Sequence, residues 1–134
     1  MTDVPEVLFM CTHNAGRSQM AAALLAREGG DAVRVTSAGS QPASHVNPAV
    51  AAAMTEIGVD ISREIPKPLM PGRAEAADIV ISMGCGDACP VFPGKRYLTW
   101  ELPDPAGLSV EQVRPIRDDI AARVRALLKE LAIS

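Results

Sequence analysis

At 134 residues the chain is expected to form one domain, with a core that buries roughly two thirds of its unfolded surface. A net charge of −3 and a pI near 5.3 argue against non-specific nucleic-acid binding, which needs a basic face. Three cysteines, no basic apolar leader and no run long enough to span a bilayer point to a cytoplasmic protein whose thiols are reactive or redox-active rather than a disulfide framework.

Strand and helix signals alternate, without an internal repeat. Glu6 to Met10 is a continuous apolar run suited to a buried parallel strand. The spacing then predicts a helix from Arg17 to Glu28, stopped by Gly29-Gly30. A second strand covers Val33 to Thr36 and ends at Ser37-Ala38-Gly39. Asn47-Pro48 opens another helix, with Asn47 as N-cap, and Val50, Ala53, Met54 and Ile57 recur at helical spacing up to Gly58. Pro66 to Gly72 is a proline-rich loop leading into a short helix through Ala77. Asp78 to Ile81 is a third buried strand, and Arg96 to Trp100 a fourth.

Val110, Val113, Ile116, Ile120, Val124, Leu128 and Leu131 form the apolar stripe of a long last helix. Ser109 and Gln112 suit a capping box at its start. Pro115 then either kinks this helix or delays its regular part until near Val113. Its charged side (Arg114, Arg117, Asp118, Arg123, Arg125 and Lys129) reads as solvated surface. The sum is α/β: a single domain over residues 1–134, a four-stranded parallel sheet flanked by helices on both faces in three layers. Such folds carry their sites at the C-terminal ends of the strands, and Cys11, the Ser82-Met83-Gly84-Cys85 stretch and Asp104 all follow strand ends.

The densest chemistry lies in Cys11-Thr12-His13-Asn14-Ala15-Gly16-Arg17, followed by Ser18, between the first strand and the first helix. A Cys followed six residues on by an Arg arises by chance roughly one time in five in such a chain, so its setting must carry the motif. A strand–loop–helix setting lets loop N–H groups and a helix N-terminus converge on an anion. Gly16 permits close backbone approach, and Asn14 tolerates left-handed geometry. Arg17 offers a planar fork for two oxygens of a tetrahedral anion, and a Ser18 hydroxyl favours a Cys11 thiolate. Residues 12–18 are thus the expected oxyanion-binding loop and Cys11 the expected nucleophile.

Asp104-Pro105 reads either as an ordinary turn or as a carboxylic acid held ready to protonate a leaving oxygen. Cys85 and Cys89 read as a redox pair, as half of a metal site, or as two unrelated thiols. Besides them only Cys11, His13 and His45 offer soft ligands, without motif spacing, so no metal is expected.

Together these residues resemble one family, the arsenate reductases built on the low-molecular-weight protein tyrosine phosphatase fold. The likeness runs through Cys11 to Ala21, Ser37-Ala38-Gly39, Met83 to Asp87, Cys89-Pro90, Trp100 and Asp104-Pro105. It implies a phosphatase-type loop from Cys11 to Ser18, with Cys11 as nucleophile, Arg17 binding the oxyanion and Asp104 as general acid. It also implies that Cys85 and Cys89 are relay cysteines, with no bound cofactor and an external thiol reductant such as thioredoxin. Arsenate would be the substrate, with phosphate or sulfate as competing oxyanions. Some relatives bind potassium through a carboxylate just after Gln-Met-Ala, and here that position is Ala22.

Three other readings share the loop, one of them a non-catalytic oxyanion-binding or thiol-sensing module that would keep Cys11 and the loop but not need Asp104. A phosphotyrosine phosphatase would use Cys11, Arg17 and Asp104 alike, but it needs aromatic walls. This chain has one Trp, one Tyr and two Phe, and Ala106-Gly107-Leu108 follows Asp104-Pro105. Mycothiol with mycoredoxin would replace thioredoxin without changing the substrate.

Overall fold

The structure, a computed structural model, describes residues 4–68, 71–83 and 96–131. Its strands are β1 (Glu6–Cys11), β2 (Arg34–Gly39), β3 (Ile79–Ser82) and β4 (Arg96–Thr99). Its helices are α1 (Arg17–Gly29), α2 (Pro48–Thr55), α3 (Pro71–Ala76) and α4 (Val110–Glu130). All strand pairs are parallel, in the order β2-β1-β3-β4.

β1 lies between β2 and β3, and its side chains are buried on both faces from Val7 to Cys11. That position explains a continuous apolar run in place of an alternating one. Val7 and Phe9 join Ile79 and Ile81 in the main core, which takes Met20, Leu24 and Leu25 from α1, Val50 and Met54 from α2, and Val113, Ile120 and Val124 from α4. Each such side chain contributes about 1.5–3 kcal/mol when fully buried. Trp100, just past β4, packs on Phe9 with ring centroids 5.5 Å apart. Leu8 and Met10 face the other way, into a smaller cluster with Ala38, Val80 and Ala77 at the end of α3.

Register aligns the strand ends. Cys11 stands opposite Gly39, Met10 opposite Ser82, and Ser82 opposite Thr99. The ladder continues one step, with Met83 N–H donating to the Met10 carbonyl at 2.7 Å and Trp100 N–H to that of Ser82 at 3.0 Å. This edge carries the site.

Element ends differ from the sequence expectation by a residue or two. α1 runs on to Gly29, and Gly30 at φ +54° stops it. α2 ends at Thr55, short of Ile57, and the chain turns at Gly58, φ +81°. α4 begins at Val110, so Pro115 lies inside it and the delayed start is not what occurs. The Ser109–Gln112 capping box forms and fixes that start, while proline so near it removes a single ladder bond.

One expectation on α4 is corrected. Arg117 is not on a solvated face but is buried, 8% exposed. Its Nη1 donates to the Ala53 carbonyl at 2.7 Å and to Glu56 at 2.9 Å. The last turn of α2 leaves carbonyls without helical donors, and a buried guanidinium satisfies one. Arg114 adds a fork on the same Glu56 carboxylate, with Nε at 2.9 Å from Oε1. Hydrogen bonds from Arg114 lead the effect, against the opposing cost of burial and with help from Arg117; they hold the Glu56 carboxyl at about 2. The clamp ties α4 to α2, whose other end reaches the site.

The folded-state value for Glu56 lies below its ordinary 4.5, so its stabilisation is complete above that pH and is lost as pH falls towards about 2. Thermal midpoints measured across this window should fall more steeply for the wild type than for Glu56→Gln. Gly39 meets only backbone: a Cβ there would lie 2.7 Å from the Thr12 oxygen and 2.9 Å from the Asn14 nitrogen. Gly39→Ala should therefore cost about 1–3 kcal/mol, read from denaturant midpoints, because no side chain can yield.

Candidate active site

The chain leaves β1 at Cys11, turns through residues 12–16 and enters α1 at Arg17. The shape of this loop is set by its carbonyls. Those of Cys11, Thr12, His13 and Ala15 accept hydrogen bonds from the N–H groups of Ser40, Gln41, Ala43 and Asn47, at 2.8–3.2 Å. They face the segment after β2, so the loop N–H groups face the opposite way, inward. Asn14 N–H accordingly points at Cys11 Sγ, 3.3 Å away. At the end of the loop, Gly16 caps α1 without a side chain, which leaves the first-turn amides to a ligand.

Asn14 holds the turn. It is fully buried and lies at φ +51°, a left-handed conformation that asparagine tolerates. Its Oδ1 accepts from Lys67 N–H at 2.8 Å and from Gln19 Nε2 at 3.2 Å. Those donors fix the amide orientation, so Nδ2 donates to Ser18 Oγ at 2.7 Å. Ser18 Oγ thus accepts from Asn14 and has its own hydrogen left for Cys11 Sγ, 2.8 Å away. The sulfur sits beneath the Asn14 N–H and the Ser18 hydroxyl, in a residue only 3% exposed.

Arg17 is buried too, its Nη1 donating to the Leu102 carbonyl at 3.2 Å. Nη2 stands 3.9 Å from Asp104 Oδ2. Asp104 is exposed, and its Oδ1 accepts from Ala106 N–H at 3.0 Å. Between them lies a cavity of about 40 Å³, lined among others by Cys11, His13, Arg17, Asn47, Asp104 and Pro105. That is room for a small tetrahedral anion or a few waters. A larger cavity of about 480 Å³ lies between α1, β2 and the 61–68 segment, and Cys11, Arg17 and Asp104 take no part in it.

The expected loop residues Cys11 to Ser18 and the distant Asp104 therefore converge. Thr12 and Ala15 join through their backbone, and His13 is an exposed wall of the cavity. Cys85 and Cys89 lie outside the described residues; the chain approaches them from Met83, hydrogen-bonded to Met10 beside the loop. Among the described residues no group of His, Cys, Asp and Glu could hold a metal ion. Sequence reasoning missed Gln19, the Lys67 amide and the Leu102 carbonyl, and it saw Asn47 only as a helix cap. No local pattern marks them: their partners lie 5, 53, 85 and 58 residues away.

The model of the low molecular weight phosphotyrosine protein phosphatase family matches residues 6–134. A putative arsenate reductase of Halobacterium salinarum is 40% identical over 127 residues, 91% of this chain and 89% of that protein. The solved thioredoxin-dependent arsenate reductase of Corynebacterium glutamicum superposes with a TM-score of 0.85 at 48% identity; the match covers 98% of this chain but 63% of that longer one. A solved arsenate reductase in a phosphate-binding state gives a TM-score of 0.84 at 35% identity, covering 98% of this chain and 100% of that one. The loop from Cys11 to Ser18 and the sheet that carries it thus have a family: the chain belongs to the low-molecular-weight phosphotyrosine protein phosphatases, among their arsenate reductases.

Proposed function

We propose that this chain reduces arsenate to arsenite through a Cys11–arsenate adduct and a disulfide relay over Cys11, Cys85 and Cys89, recycled by thioredoxin. The observation that carries the reading is the convergence on one sulfur: Asn14 N–H and Ser18 Oγ at Cys11 Sγ, with Arg17 and Asp104 across a cavity of anion size.

The chemistry follows the layout. The Cys11 thiolate attacks arsenic, and an S–As bond forms. The loop amides and Arg17 hold the charge on the oxygens that stay. The oxygen that leaves takes a proton from Asp104 and departs as water. Cys85 then attacks the Cys11 sulfur. An S–S bond forms, the S–As pair passes to arsenic, and arsenic(V) leaves as arsenite, arsenic(III). Cys89 attacks Cys85 and frees the Cys11 thiolate. An external dithiol reduces the Cys85–Cys89 disulfide by exchange. No bound cofactor takes part. Phosphate and sulfate, being tetrahedral too, compete for the loop.

The phosphatase reading uses the same first step but needs a wall for an aryl ring. Pro105 and Ala106 stand at the mouth beside His13, and Trp100 is committed to the core against Phe9. Mycothiol with mycoredoxin is the alternative reductant. We place the reaction in the cytoplasm, where thiols stay reduced; among the described residues no helix is long and apolar enough to cross a membrane.

Following NADPH oxidation with arsenate, and supplying thioredoxin or the mycothiol system in turn, tests both substrate and reductant. Arsenate-dependent consumption with thioredoxin is expected. Fast aryl phosphate hydrolysis without such consumption would transfer the chain to the phosphatases. Cys89→Ser should still release about one arsenite per chain, slowly, yet fail to cycle with thioredoxin. Undiminished steady-state reduction by that variant would exclude the relay.

A further inference from the structure

We propose that Asn47 is a positioning residue that seats the Asp104 loop against the Cys11 loop, an inference that rests on Asp104 acting as the acid. Asn47 lines the cavity, yet it belongs to neither loop: it is the N-cap of α2. Its groups divide among three elements. Its N–H donates to the Ala15 carbonyl at 2.9 Å, on the Cys11 loop. Its Oδ1 accepts from Ala49 N–H at 2.9 Å and caps α2. That contact turns Nδ2 outward, where it donates to the Pro105 carbonyl at 3.4 Å.

Pro105 follows Asp104 directly, so this bond anchors the residue next to the acid. The acid needs an anchor. Its side chain is 53% exposed, its bond from Ala106 N–H at 3.0 Å stays within its own loop, and its approach to Arg17, at 3.9 Å, is too long for a strong hydrogen bond. Proton transfer requires the carboxyl within hydrogen-bond reach of the leaving oxygen. A second contact seats the same loop from below. A Cβ at Gly16 would lie 2.6 Å from Pro105 Cγ, so the bare Gly16 backbone is what admits the proline ring. Pro105 is thereby buried between the Cys11 loop and α2 while Asp104 and Ala106 on either side stay exposed. The seat and the nucleophile share a support, since the residue that grips Pro105 also grips Ala15.

Asn47→Ser separates the roles, because serine still caps α2 but does not reach Pro105. The measurement is the single-turnover rate of arsenite release, with phosphate inhibition and the thermal midpoint beside it. Asp104→Asn should lower the rate about a hundredfold. Asn47→Ser should lower it about tenfold, leave phosphate inhibition within about twofold, and cost almost nothing further in the Asp104→Asn background. A wild-type rate in Asn47→Ser, or the same tenfold loss on top of Asp104→Asn, would overturn the proposal. A wild-type rate in Asp104→Asn itself would remove the acid role and the seating argument with it, which distinguishes the two failures. Should Asn47→Ser lose its fold, Gly16→Ala tests the seat from the other side. It should give the same non-additive loss, and a wild-type rate there would count against the seat.

Discussion

The site depends on one buried amide. Asn14 stands at a left-handed φ that costs most residues about 1–2 kcal/mol, and the cost is met by using both ends of its side chain. Oδ1 gathers donors from two parts of the molecule, the Lys67 backbone and the Gln19 side chain on α1. Nδ2 then has one direction left, towards Ser18. Through Ser18 the same amide holds a hydroxyl 2.8 Å from Cys11 Sγ. A buried polar network of this kind holds a single arrangement only if every member is satisfied. Gln19 and Lys67, which never touch the sulfur, thus fix the amide that orients Ser18 beside it.

The second constraint is the strand edge. A loop whose N–H groups face inward must send its carbonyls outward, and buried carbonyls need donors. The segment after β2 supplies them, from Ser40 to Asn47. It can run close because β2 ends in glycine, with no Cβ between Gly39 and the Thr12–Asn14 backbone. That segment then becomes α2, whose far end is held to α4 by Arg117 and Arg114 on Glu56. The anion cradle is thus braced through α2 by the longest helix in the fold.

This division explains what the sequence could disclose. β1, α1, the Asn47-Pro48 start and the α4 stripe are legible because each is written in a local period or a cap. Cys11 to Ser18 is legible because the cysteine, the turn residues and the arginine are contiguous. Asp104 is half legible: in sequence Asp104-Pro105 reads either as a turn or as an acid, and the fold then sets it 3.9 Å from Arg17. Arg117 was misread since a charge on a helix face is ordinarily solvated, and nothing local says that the carbonyl of Ala53 lies beneath it. The ties to Lys67, Leu102 and Pro105 are invisible for the same reason, because they exist only after the chain has returned to the same edge.

What separates a reductase from a phosphatase on this frame lies after the first bond. In the proposed reaction arsenic and phosphorus oxyanions meet the same amides and the same guanidinium, so the loop does not choose between them. The adducts differ in what can take them apart. A sulfur–phosphorus adduct yields to water, which needs the acid loop again to activate it. A sulfur–arsenic adduct also yields to a second thiolate, because arsenic accepts the electron pair. The selective element in the proposed reaction is therefore the supply of sulfur rather than the shape of the cavity. β3 ends beside β1, and the chain then runs on to Cys85 and Cys89. In the proposed reaction a phosphatase-type fold works as a reductase because the sequence beyond β3 carries two further cysteines.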